Sequence, residues 1–119
     1  MIDHLSIGVR DIAKARKFYD AALNPLGCTC INASETSLGY GRKTVSFWIL
    51  ASASPVPADL QSGLHICFTA PARKSVDAFY KGALAAGGTG NGTPGLRADY
   101  GSNYYAAFVI DPDGYRIEA

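Results

Sequence analysis

Two stretches of the chain alternate apolar and polar positions, and each is followed by a stretch whose apolar residues recur every three or four. Residues 3–9 set Leu5, Ile7 and Val9 on one face, and residues 64–69 do the same with Ile66 and Phe68. Both patterns predict short strands whose apolar faces pack on a helix. From Ile12 the period lengthens, and Ile12, Ala15, Phe18, Tyr19, Ala22, Leu23 and Leu26 fall on one side of a helix that Asp11 is placed to cap. Val76, Phe79, Tyr80, Ala83 and Leu84 predict a second helix, with Pro71 near its start and Gly87-Gly88 as its stop. It has no capping side chain, because Ala70 and Ala72 flank the proline. After each helix the pattern predicts a hairpin. Thr36–Tyr40 turns at Gly41–Lys43 into Thr44–Ala51, and Asn103–Ile110 turns at Asp111–Gly114 into Tyr115–Glu118. Pro112 and Gly114 stand where a type I turn favours them.

The two halves are copies. A displacement of 61 positions, the separation of His4 from His65, lays His4–Ile7 on His65–Phe68, Phe18-Tyr19 on Phe79-Tyr80, Ala22-Leu23 on Ala83-Leu84 and Gly27 on Gly88. A repeat of half the chain length predicts two similar modules about a pseudo-twofold axis. Module one covers residues 1–52, a linker with Pro55 and Pro57 covers residues 53–63, and module two covers residues 64–119. The fold class is α+β, each module running strand, helix, then two or three strands.

Alternation also fixes what lies on the faces turned from the helices. His4, Ser6 and Gly8 share that face in residues 3–9, and His65, Cys67 and Thr69 share it in residues 64–69. Trp48 occupies it in the first hairpin, with Glu118 at the matching place in the second. Paired about a twofold axis, His4, Trp48, His65 and Glu118 would line one cleft. Two neutral imidazoles and a carboxylate suit iron(II), manganese, nickel or zinc with open coordination positions.

Composition narrows the remaining possibilities. The chain of 119 residues is 48% hydrophobic and 18% charged, which excludes a disordered segment and predicts one compact domain. Eleven basic residues against ten acidic ones, a net charge of +1, give no bulk reason to expect nucleic acid or an anionic membrane as partner. Arg10, Lys14, Arg16 and Lys17 form the densest basic group and are expected to be the solvated face of the first helix. No apolar run reaches membrane-spanning length, and no leader is visible at the N-terminus. Cys28, Cys30 and Cys67 lack zinc-site spacing and read as free thiols of a reduced, cytoplasmic protein. Gly88–Gly92 follows a helix instead of opening one, so it reads as a flexible loop and not a dinucleotide fingerprint. Asp111–Gly114 reads as a turn and not a calcium loop, and Ser6 lacks a relay that would make it a nucleophile.

The segments Ile2–Ile7, Phe18-Tyr19 with Leu23, Leu64–Ile66 with Phe79, and Ala107–Glu118 resemble the vicinal oxygen chelate superfamily over essentially the whole chain. That superfamily includes glyoxalase I, extradiol dioxygenases, fosfomycin-resistance thiol transferases and bleomycin-resistance proteins. The resemblance implies two βαβββ modules in tandem, forming a cupped, partly open mixed β-barrel with helices outside. It places His4, His65 and Glu118 on three metal positions and Trp48 where glyoxalase I has a fourth, glutamate ligand. An indole neither ligates nor moves a proton there, so the implied activity is a metal-dependent lyase, dioxygenase or thiol transferase other than typical glyoxalase I. It would act on a small oxygenated substrate. The alternative it implies is a metal-free binding or sequestering protein of the bleomycin-resistance type. If the closing hairpin follows the family, Tyr104, Ala106 and Phe108 face the cleft. Tyr104 is then a catalytic hydrogen-bond donor, with Trp48, Arg97, Tyr100, Asn103 and Phe108 contacting substrate. A homodimer is also implied, its clefts formed within one chain or from swapped halves of two.

Overall fold

A computed structural model describes residues 1–119. Module one runs β1 (Leu5–Val9), α1 (Ile12–Leu23), a 3-10 turn (Asn24–Leu26), β2 (Thr29–Ala33), β3 (Ser37–Gly41) and β4 (Val45–Ala51). Module two runs β5 (His65–Cys67), α2 (Arg73–Ala85), β6 (Thr89–Leu96), β7 (Tyr105–Ile110) and β8 (Arg116–Glu118). The fold is α+β, with two tandem βαβββ modules. Each forms its own four-stranded mixed sheet, in the orders β1-β4-β3-β2 and β5-β8-β7-β6. The sheets do not close into a barrel; they form a cupped, open pair.

Local chemistry explains the helices. The Asp11 side chain accepts from the Lys14 backbone N–H and caps α1, while α2 starts at Ala72 with no side-chain cap. Their apolar faces join the inner faces of both sheets in one core, which includes Val9, Phe18, Tyr19, Leu23, Ile49, Phe79, Val109 and Ile117. The helices lie against each other closely enough that a Cβ on Gly82 of α2 would stand 2.5 Å from the Ala21 carbonyl oxygen of α1.

The Asp111–Gly114 turn is more than a reversal. Asp111 is buried, and its carboxylate accepts from the Tyr19 hydroxyl at 2.6 Å and from the Asp113 and Tyr115 backbone N–H groups. Burial pushes this carboxyl up, and those three hydrogen bonds oppose the push. Asp113 accepts from the Arg10 backbone N–H, and the Tyr115 hydroxyl donates to the Gly8 carbonyl at 2.7 Å. A turn of module two therefore holds β1, the connection after it and the middle of α1 in module one.

Four sequence expectations need correction. Gly88–Gly92 is no loop: Thr89–Leu96 is an edge strand paired antiparallel to β7, with register shifts between Gly90 and Gly92 and between Gly92 and Gly95. Glycines hide a strand from propensity, and bulges break its alternation. The first and fifth strands are shorter than expected, so His4 precedes β1 instead of lying in it. Leu5 and Leu84, expected in the core, are each 38% exposed, Leu5 at the first position of β1 and Leu84 one residue from the end of α2. Leu26 belongs to the 3-10 turn, where Pro25 interrupts α1.

Candidate functional site

Strand register carries the internal repeat into the sheets, residue against residue. Ser6 of β1 pairs with Trp48 of β4, and Cys67 of β5 pairs with Glu118 of β8. Trp48 and Glu118 thus hold equivalent positions in the two sheets. The next strand over continues the match, with Gly39 opposite Trp48 and Phe108 opposite Glu118. The two modules fill this position differently. A Cβ on Gly39 would stand 2.9 Å from the indole, so Trp48 lies across the bare backbone of its neighbouring strand. In module two, Phe108 occupies the space and Glu118 reaches a polar cluster.

That cluster is compact. His65 Nε2 lies 2.8 Å from Glu118 Oε2, and the Tyr104 hydroxyl donates to Glu118 Oε1 at 2.7 Å. Glu118 is 3% exposed, whereas the His65 side chain is 40% exposed. The buried carboxylate therefore presents its imidazole partner to solvent. The His65 and Phe108 rings stack at 6.1 Å with 26° between planes, which holds the imidazole in one orientation. The chain end is tied down, since Ala119 and Ala107 exchange two backbone hydrogen bonds beside Glu118.

Tyr104 is held by its own loop. Its carbonyl accepts from Arg97 N–H at 2.7 Å, and Tyr100 packs edge-on at 5.3 Å. The hydrogen bond to Glu118 holds the Tyr104 phenol well above its ordinary pKa, so it remains a donor at neutral pH. The Cys67 sulfur stands 3.9 Å from the same hydroxyl. Partial burial, and then the Glu118 carboxylate, push its thiol up and keep it protonated. Sequence reasoning assigned no role to Cys67, although its pairing with Glu118 follows from the repeat.

The remaining expected site residues distribute as follows. Arg97 is half-buried, its guanidinium carbon 5.3 Å from the centre of the Phe108 ring. Tyr100 is exposed at the loop tip, and Asn103 lines a cavity of about 320 Å³ with Cys67, Tyr104 and Ala106. His4 is elsewhere. Its Nδ1 pairs with Asp3 at 2.7 Å, and no group of three His, Cys, Asp or Glu side chains in one chain stands close enough to hold a metal. One chain thus brings together His65, Glu118, Tyr104, Phe108 and Arg97, and leaves His4 and Trp48 apart from them. Ser46 and Ser6 are exposed beside Trp48, so module one also turns its outer face to solvent.

The chain matches the sequence profile described as Glyoxalase/Bleomycin resistance protein/Dioxygenase superfamily over residues 1–119. Among solved structures it is similar to a glyoxalase/bleomycin resistance protein from Albidiferax ferrireducens, at 32% identity and TM-score 0.84, covering 98% of this chain and 94% of that one. It is also similar to a glyoxalase-related enzyme from Fulvimarina pelagi, at 16% identity and TM-score 0.76, covering 99% and 85%. A third match is a fosfomycin resistance protein from Listeria monocytogenes, solved with manganese(II) and a dihydroxypropylphosphonic acid. It has 18% identity and TM-score 0.71, covering 99% and 86%. No functionally curated protein matches. No helix is long and apolar enough to cross a membrane.

Proposed function

The chain belongs to the glyoxalase/bleomycin resistance protein/dioxygenase superfamily, and from that premise we propose that it is a metalloenzyme acting on a small oxygenated substrate. His65 and Glu118 of one chain and His4 of a second copy hold the divalent cation. The observation that carries this reading is the 2.8 Å approach of His65 Nε2 to Glu118 Oε2 on an outward-turned sheet face. An imidazole nitrogen and a carboxylate oxygen so placed fit two adjacent ligand positions of iron(II), manganese, nickel or zinc. The fold-level neighbour solved with manganese(II) supports a metal of this kind on this scaffold.

The residues of this chain divide the work. Tyr104 engages Glu118 Oε1 and thereby turns Oε2 toward His65. Phe108 fixes the plane of the His65 ring, and burial of Glu118 keeps competing water from the carboxylate. A divalent cation held there supplies Lewis-acid stabilisation of negative charge developing on substrate oxygens. On this reading the substrate enters on the side of Tyr100, exposed beside Tyr104, and Arg97, half-buried over Phe108. The third protein donor comes from a homodimer with swapped halves, because both sheets turn their outer faces away from the shared core and His4 engages only Asp3 within its own chain.

Metal analysis tests the reading. Protein purified without added metal or a histidine tag, then dialysed against each of the four cations, is expected to retain about one per chain. Both His65→Ala and Glu118→Gln should lose it. A wild type that stays empty in all four cases contradicts the metalloenzyme and leaves a metal-free binding protein of the bleomycin-resistance type.

A further inference from the structure

We propose that Arg97 is an anion-recognising arm of the same cleft. The substrate is then a small anionic molecule whose charged group meets the Arg97 guanidinium while its oxygens reach His65 and Glu118. The second half of this statement rests on the metal-site reading; the anion site does not.

The glycines of β6 make the site. A Cβ on Gly92 would stand 3.3 Å from Arg97 Nη2 and 2.9 Å from Phe108 Cδ2, and one on Gly95 would stand 3.3 Å from Arg97 Nη1. The guanidinium therefore lies on a strip of backbone that two missing side chains leave bare. Its Nη2 donates to the Thr93 carbonyl at 2.6 Å, its Nη1 to the Leu96 carbonyl at 3.4 Å, and its central carbon lies over the Phe108 ring at 5.3 Å. These contacts orient the cation before any ligand arrives, so less side-chain freedom is lost on binding.

They also leave its charge unanswered. No carboxylate lies within 4.0 Å of Arg97, whereas Arg10 and Arg16 each pair with an aspartate. Arg42, Arg73 and Arg116 share the lack of an ion pair, but not the bare glycine floor and the aromatic ring beside the metal-site residues. Glu118, across Phe108, is committed to His65 and Tyr104, and Asp99 on the same loop makes no ion pair. A half-buried guanidinium answered only by neutral carbonyls keeps free N–H groups in the fork geometry that matches a carboxylate, phosphate, phosphonate or sulfonate. Phe108 is common to both groups: the guanidinium carbon lies over its ring at 5.3 Å, and the His65 imidazole stacks with it at 6.1 Å. The matching ligand has an anionic end, a flat or apolar middle, and oxygens at the far end.

Calorimetric titration of chelator-stripped protein with benzoate and with benzamide, equal in shape and different in charge, tests the assignment. Benzoate should bind at least about tenfold more tightly, with a preference that shrinks as salt is raised. Arg97→Gln should abolish the preference, Arg97→Lys should keep part of it, and Gly95→Ala, whose methyl would meet only Arg97 Nη1, should weaken it by displacing the guanidinium. Equal affinities, no benzoate binding, or a preference that survives Arg97→Gln overturns the proposal. A benzoate preference in protein that fails to load metal refutes the metal site alone.

Discussion

Tyr104 changes meaning once its hydroxyl is located. By resemblance it is a donor to substrate; in the structure it donates to Glu118 Oε1 at 2.7 Å and so acts through the carboxylate. Outer hydrogen bonds of this kind typically govern metal affinity by about 10- to 100-fold. Tyr104→Phe should therefore weaken cation binding by a factor in that range, measured by manganese(II) titration followed by electron paramagnetic resonance, without changing the fold. Unchanged affinity would mean that Glu118 needs no such support. Tyr19 is the structural counterpart. Its hydroxyl is buried on Asp111, and Tyr19→Phe should cost about 1–3 kcal/mol in urea unfolding, since the carboxylate loses a buried partner. Burial, and then Asp111, push the Tyr19 phenol well above 10.0; burial, and then Asp20, do the same to Tyr40. A phenol raised on folding contributes stability that is fully present below its ordinary pKa and is lost as pH rises toward the folded one. Stability should accordingly fall above pH 10, and by a shallower slope in Tyr19→Phe, by about one proton. An equal slope in wild type and variant would contradict the assignment.

At the scale of elements, both helices and the closing hairpin were legible because their signals are local: Asp11 at a cap, three-and-four spacing, Pro112 and Gly114 in a turn. The β6 strand was not. Its sequence Thr-Gly-Asn-Gly-Thr-Pro-Gly-Leu lacks the branched and aromatic residues that mark a strand, and its pairing depends on β7 some distance along the chain. The same glycines that obscure the strand open the floor under Arg97, so the omission fell on a functional feature. The helix pair makes a further test of packing against propensity. Gly82→Ala should favour α2 by roughly 1 kcal/mol on intrinsic grounds. The new methyl would nonetheless meet the Ala21 carbonyl oxygen at 2.5 Å, and backbone cannot yield as a side chain does. The expected outcome is net destabilisation, with a lower urea midpoint; a raised midpoint would show that the helices separate freely.

At the scale of the whole molecule, the repeat carried most of what the sequence could say. It placed Trp48 and Glu118 in equivalent positions, and strand register agrees. It also suggested that His4, Trp48, His65 and Glu118 share a cleft, which depends on how modules pair, and pairing leaves no local trace in the residues. Within one chain the modules join through their helices and the Asp111 turn, leaving His4 with Asp3 and His65 with Glu118. On the proposed reading, a second copy related by a twofold axis completes the site. Mixing His4→Ala with His65→Ala chains under conditions of subunit exchange tests this most directly. Each variant alone should hold little metal. An equal mixture should regain about a quarter of the wild-type cation content, because half of the dimers are mixed and each carries one native site. No recovery in a mixture proven to contain mixed dimers, or full metal binding by His4→Ala alone, would contradict a site shared between two chains.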